Sequence, residues 1–183
     1  MKIIVSPAKE MSLENPISKD WKIIENTQEI VKVLASLDEN ELKKKLKIND
    51  NILADVNNYI DGFNNNTTYK ALEMYNGLAF RSLDYKSLDD TAKDYLDNNL
   101  YILSAFYGPN KGDSLVKPYR LDMTHSIKID GKSLKNLWKD VFTESLENED
   151  IVINLASNVF SDLIDRNKVI MLDFDFFMLK NGE

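Results

Sequence analysis

The chain has 183 residues, 43% of them hydrophobic and 29% charged, the profile of a globular domain that can bury a core without disulfide or metal staples. It has no cysteine, which excludes a thiolate nucleophile, a zinc finger, a Cys-ligated iron–sulfur cluster and direct thiol sensing. The formal charge of -7 argues against nucleic-acid binding over the whole surface, since phosphate neutralisation supplies most of such affinity, but it leaves room for one basic face.

Lys2–Val5 is a β-branched run halted by Ser6-Pro7 and predicts a buried strand. After the Asn15-Pro16 break, Ile30, Val31, Leu34 and Leu37 follow helical spacing from Thr27 to Asp38. A second helix is expected behind Asp38 or Asn40 as N-cap, with Leu42 and Leu46 inward, and a third behind Asn49-Asp50, carrying Ile52, Leu53, Val56, Ile60 and Phe63. Thr67 or Thr68 is expected to cap a short helix through Ala71 and Met74 that Asn76-Gly77 ends. Ser87, with Asp90 three residues later, suggests a capping-box start for a helix through Leu96. Residues 100–106 read as a strand. Residues 126–129 predict a short strand, Asp130-Gly131 a turn, and Ser133 the cap of a helix with Leu134, Trp138, Phe142 and Leu146 on one face. Strand 151–155, helix 156–164 and strand 168–179 complete the chain.

This alternation predicts an α/β (α+β) fold, a mixed β-sheet flanked by helices, as one domain over residues 1–183. Asn181-Gly182 is a strong hairpin signal at the very end of the chain, so the domain reads as C-terminally incomplete. No stretch reaches the roughly 18–20 apolar residues of a membrane span, and the N-terminal apolar run is too short for a signal peptide. A cytoplasmic protein without a membrane partner is expected.

In α/β sheets ligands collect outside the carboxyl ends of strands. Ser6 and Lys9 follow the first predicted strand, Ser104 follows Leu103, and Asn154 and Ser157 flank Leu155. Together Ser6, Lys9, Asn154 and Ser157 offer a cation, two hydroxyls and an amide suited to an anion or a polar base edge; ordinary turn and cap roles are the competing reading. The basic stretch 111–139 holds seven bases against three acids, while nine acids face three bases from residue 144 onward. Within it, the run 117–123 (KPYRLDM) is the densest polar and aromatic cluster. Lys117 and Arg120 can hold phosphate or carboxylate, and Tyr119 can stack on a base; a structural ion pair of Arg120, with Asp122 or at long range, is the alternative. His125 is the sole histidine, so no histidine-based metal set exists, and no Gly-x-Ser-x-Gly elbow accompanies it. No phosphate-binding Walker or dinucleotide loop is present. Neither a cofactor nor a resident metal is expected.

Five stretches, in register over nearly the whole chain, carry a family likeness: Ile3 to Lys9 (IIVSPAK), 103–108 (LSAFYG), 117–123 (KPYRLDM), 134–138 (LKNLW) and 153–157 (INLAS). In these the chain resembles the YaaA family of bacterial peroxide stress proteins. The resemblance implies a cytosolic protein that protects against hydrogen peroxide and limits free intracellular iron. It further implies sequence-independent binding of double-stranded DNA through a basic cleft and a helix-hairpin-helix-like element. Lys9, Lys117 and Arg120, with Lys128 and Lys132, are then the phosphate contacts. Three features depart from the family pattern: its basic C-terminal segment is missing, Asn76-Gly77 replaces a Lys-Gly pair, and Phe160 replaces a Tyr. About a dozen residues separate Gly77 from the next predicted helix, longer than a compact hairpin requires. A binding protein is thus expected before an enzyme. The alternatives are an enzyme with an anion pocket at the strand ends and an inactive truncated fragment; oligomeric state is not legible.

Overall fold

The structure, a computed structural model, describes residues 1–19 and 21–174. Strand β1 (Lys2–Val5) opens the chain and β2 (Ile17–Ser18) follows. Three helices come next: α1 (Glu25–Ala35), α2 (Glu39–Leu46) and α3 (Asp50–Asp61). Then come β3 (Thr67–Lys70), α4 (Ala71–Met74), α5 (Leu78–Leu83) and α6 (Asp90–Asn99). The second half holds β4 (Leu100–Ser104), β5 (Gly108–Lys111), β6 (Leu115–Val116), β7 (Lys128–Ile129) and β8 (Lys132–Ser133). It ends with α7 (Leu134–Glu144), β9 (Val152–Leu155), α8 (Asn158–Ser161) and β10 (Met171–Asp173).

The main sheet has the order β10-β9-β1-β4-β5. The first four strands are parallel and β5 turns back antiparallel on β4, so the expected mixed sheet is present. β1 lies centrally, with Ile4 opposite Tyr101 on one side and Asn154 on the other. That position explains a strand without polar alternation, because parallel strands have both faces covered. It also brings the carboxyl ends of β1, β4 and β9 to one edge, the edge where sequence placed the candidate cluster.

Local signals fix most helix starts. Asp38 and Glu41 form a reciprocal capping box at α2, and the Asn49 and Ser133 side chains accept from the backbone N–H groups of Ile52 and Asn136. Two expectations are corrected. α6 is capped by Asp89, whose carboxylate accepts from Ala92 N–H, while Ser87 ends a short 3-10 turn; the charged cap also complements the helix dipole. Thr67 and Thr68 cap no helix: they pair with β2, and Thr68 Oγ1 donates to Ile17 O at 3.0 Å. Residues 175–179 of the last predicted strand, and the Asn181-Gly182 hairpin signal, lie outside the described residues.

The β4–β5 connection needs a glycine. Gly108 has φ +70°, and a Cβ there would come within 2.7 Å of Cε3 of Trp138. The Asp130-Gly131 turn has positive φ at both positions (48° and 79°), the requirement of a two-residue type I′ hairpin.

β10 is held to β9 by a side-chain hydrogen bond as well as by backbone, and by charge to Arg166 in the segment before it. Asp173 accepts from both Arg166 terminal nitrogens (2.7 and 3.0 Å) and from Asn154 Nδ2 (2.7 Å). These bonds, Arg166 first, hold its carboxyl at about 2 instead of 3.8. A depressed carboxylate stabilises the fold above its unfolded value and loses that contribution as pH falls through the folded one. Stability should therefore drop between about pH 4 and pH 2, and Arg166→Met should flatten that limb in urea unfolding curves; an unaltered limb rules the clasp out. Asp173 is exposed, so solvent screening keeps the effect small.

Candidate functional site

The strand-end loops meet as the sequence implies, but their side chains divide into three groups. Ser6 Oγ accepts from Ser157 N–H at 2.8 Å and lies 3.1 Å from Ser157 Oγ, tying the loop after β1 to the loop after β9. Asn154 turns its amide inward along the sheet, Oδ1 accepting from Ala156 N–H and Nδ2 donating to Asp173. These three residues are engaged with one another's loops.

The second group lines an open cleft. Its walls are Pro7, Ala8, Lys9 and Met11 from the segment after β1, residues 119–122 and His125, with Phe160 from α8. Arg120 Nη1 donates to Lys9 O at 3.3 Å, and Lys9 Nζ, largely exposed, lies 3.5 Å from Asp122 Oδ2. Asp122 thus pairs with Lys9 and not with Arg120, which among the described residues forms no ion pair. Burial works to raise the Asp122 carboxyl, but two hydrogen bonds from Thr124 and the Lys9 charge outweigh it and hold it below its usual value. His125 Nδ1 accepts from Asp122 N–H at 3.1 Å, so its proton is on Nε2. Burial lowers its pKa against the pull of Asp122, and the charges of Lys9, Arg120 and Lys47 add to the lowering. The imidazole is neutral at pH 7. Lys47, which ends α2 in the left-handed region with φ 52°, carried no recognisable sequence signal beyond its basic neighbours.

A helical turn backs this cleft. α4 ends at Met74 and α5 begins at Leu78, so the dozen-residue gap expected from sequence is only Tyr75, Asn76 and Gly77. Asn76 N–H donates to Glu10 O at 2.9 Å, Ser12 N–H to Met74 O at 2.7 Å, and a Cβ on Gly77 would lie 2.9 Å from Ala8 Cβ. Only glycine lets the turn approach the Lys9 segment this closely.

The third group points inward. From Lys117 to Met123 burial alternates residue by residue, as in an extended strand: Lys117, Tyr119, Leu121 and Met123 are buried, while Pro118, Arg120 and Asp122 are half-buried. Tyr119 stacks on Phe106 (centroids 4.7 Å apart), and its hydroxyl lies 2.8 Å from Ser104 Oγ and 3.0 Å from Tyr75 OH. Its ring is committed to the core and offers no face to an external base. Lys117 is 3% exposed; its Nζ donates to Asn65 O and, at 3.0 Å, to Asn65 Oδ1, over the rings of Trp21 and Phe63.

Among the described residues no three His, Cys, Asp or Glu side chains gather as a metal site, and no helix is long and apolar enough to cross a membrane.

The family profile described as "Peroxide stress protein YaaA" matches residues 1–183. The chain belongs to the YaaA family. A UPF0246 protein of Fusobacterium nucleatum is 36% identical over 192 residues, covering 100% of this chain and 77% of the relative. UPF0246 proteins of Streptococcus pneumoniae, serotype 19F and serotype 2, are 30% identical over 186 residues with the same coverage. The five stretches that mark the YaaA likeness form one hydrogen-bonded series in space. Trp138 Nε1 donates to Ala105 O, Ser104 joins Tyr119, Arg120 reaches Lys9, and Ser6 joins Ser157. The family pattern thus describes a single structural unit at the carboxyl edge of the sheet, with the cleft on its surface.

Proposed function

We propose that this YaaA-family protein protects the cell against peroxide by holding double-stranded DNA, without sequence preference, at the cleft of Lys9, Arg120 and His125, and that this protection accompanies limitation of free intracellular iron in the cytosol. One observation carries the reading: Lys9 and Arg120, from separate segments, line one cleft with His125, Arg120 reaching Lys9 O at 3.3 Å, and Asp122, paired with Lys9, is the acid that lines it. Such a cluster suits backbone phosphates, which position a duplex without reading its bases. The three-residue α4–α5 turn beside Lys9 supports the compact helical hairpin that the family resemblance implies, and Lys128 and Lys132 on the exposed β7–β8 hairpin are further candidate contacts. Ser6, Asn154 and Ser157 brace the loops after β1 and β9 instead of donating to phosphate, and Tyr119 anchors Arg120 from within.

The test is duplex affinity across a salt series. Each phosphate contact contributes about 0.9 to the slope of log affinity against log salt. Arg120→Ala and Lys9→Ala should each weaken binding of any duplex sequence and lower the slope by about one contact. Unchanged slopes in both variants remove the cleft from the DNA reading.

A further inference from the structure

We propose a second binding site in this protein, for a small organic molecule carrying a phosphate or carboxylate group, in the pocket between α3 and β3 where Lys117 ends. The pocket has a volume of ≈ 290 Å³ and is lined by Lys117, Asn65, Tyr69, Thr67 and Asp55, with Pro118 among its apolar walls. It does not share Lys9, Arg120 or His125 with the cleft, and the inference stands apart from the DNA reading.

The argument begins with an uncompensated charge. An ammonium removed from water is ordinarily matched by a carboxylate, because neutral acceptors repay only part of its lost hydration. Lys117 belongs to none of the ion pairs among the described residues. Both of its oxygen partners are neutral and come from Asn65. An ammonium has three N–H donors, and beyond Asn65 that of Lys117 has, among the described residues, only the Trp21 and Phe63 ring faces, 5.4 and 5.8 Å away, and no anion. Burial also lowers the Lys117 pKa, and an anion beside it would return it towards the usual lysine value.

The second observation is independent of the lysine. Tyr69 is a mostly buried ring that lines this pocket, and among the described residues its hydroxyl is open to the cavity and makes no hydrogen bond. Thr67 pairs through its backbone N–H with Asn65 Oδ1, and its hydroxyl is likewise unpartnered there. A lone cation and two unused hydroxyls around one small cavity form the donor set of an oxyanion site. Asp55, exposed on α3 and beyond ion-pair distance of Lys117, adds one negative charge to the lining. It disfavours polyanions and orients a ligand with its oxyanion towards the lysine.

The experiment titrates the full chain with inorganic phosphate and, separately, with benzoate, by calorimetry and by thermal shift. The expected result is saturable binding of at least one probe, weakened about tenfold by Tyr69→Phe through loss of one hydrogen bond to a charged group. Lys117→Met should abolish it, and Lys9→Ala should leave it unchanged. Affinity should also fall at alkaline pH, as the lysine loses its proton. Tyr69→Phe keeps the ring, so it decides the question even if Lys117→Met does not fold. Phosphate binding alone identifies a phosphate ester as the ligand class, and benzoate binding alone a carboxylate. No saturable binding by either probe, or binding that Tyr69→Phe leaves unchanged, overturns the site.

Discussion

Replacing Trp138 with alanine is expected to cost about 3–5 kcal/mol of folding free energy, the usual range for deleting a large buried aromatic. The residue is 0% exposed. Its indole runs nearly parallel to Phe142 at 6.3 Å between centroids, and its N–H donates to Ala105 O at 2.8 Å. Its six-membered ring occupies the space a side chain at position 108 would need. Alanine would leave a void between α7 and the β4–β5 turn and an unpaired buried carbonyl, neither of which that tight turn can collapse to fill. Trp138→Phe separates the two contributions: it keeps much of the volume but loses the donor, and should cost about 1–3 kcal/mol. Urea unfolding followed by two probes measures both. A midpoint shift with unchanged slope marks lost stability, and an alanine variant within about 1 kcal/mol of the parent would show that the turn is held by something else.

The elements legible in the sequence are those whose cause is local. β1 and β9 follow from β-branched runs, and α2, α3 and α7 from the caps Asp38, Asn49 and Ser133 followed by helical spacing. The small sheet was hidden because its stability is non-local: β2 and β6 have two residues each and exist by pairing with β3, Ile17 to Thr68 across some fifty positions and Leu115 to Lys70 across more than forty. The threonines of β3 serve caps and strands equally well, so position alone misled. α5 buries no residue completely and has six residues, too few to show a period. Its absence from the sequence reading is what made the hairpin before it look too long.

The candidate site was legible as a place and not as an orientation. Residues 117–123 stand out in the sequence as a polar and aromatic cluster, but its charges mask the alternation within it. Leu121 and Met123 fix one parity as inward, and the same parity carries Tyr119 and Lys117. A lysine on the apolar parity of an extended run is the anomaly the sequence held, and it separates Arg120, which faces the cleft, from Lys117, which faces the other pocket.

Ser104→Ala should be the second most damaging of these substitutions, at about 2–4 kcal/mol, because it strands buried polar groups and leaves almost no cavity. The Ser104 hydroxyl is wholly buried. It accepts from the N–H groups of Phe106 and Tyr107 at 3.0 and 3.1 Å and shares a 2.8 Å hydrogen bond with Tyr119 OH. A hydroxyl has one donor and two acceptor lone pairs, so two accepted N–H groups leave Ser104 as donor to Tyr119, and Tyr119 as donor to Tyr75. Burial pushes Tyr75 up to about 12 and Tyr119 well above its ordinary value, so both phenols keep their protons near neutral pH. Removing Ser104 therefore releases two backbone donors of the turn and one acceptor of the tyrosine pair together. Tyr119→Phe removes the phenol alone and should cost about 1 kcal/mol, with the double variant less damaging than the sum because the two side chains share one hydrogen bond. The same argument separates positioning from contact in the cleft. Ser104 holds Tyr119, the residue that precedes Arg120, so Ser104→Ala should weaken duplex binding while the salt slope keeps its parent value, the cations being intact. A reduced slope in Ser104→Ala would mean instead that Arg120 has lost its phosphate, and that the tyrosine network fixes the cation's presence at the cleft as well as its aim.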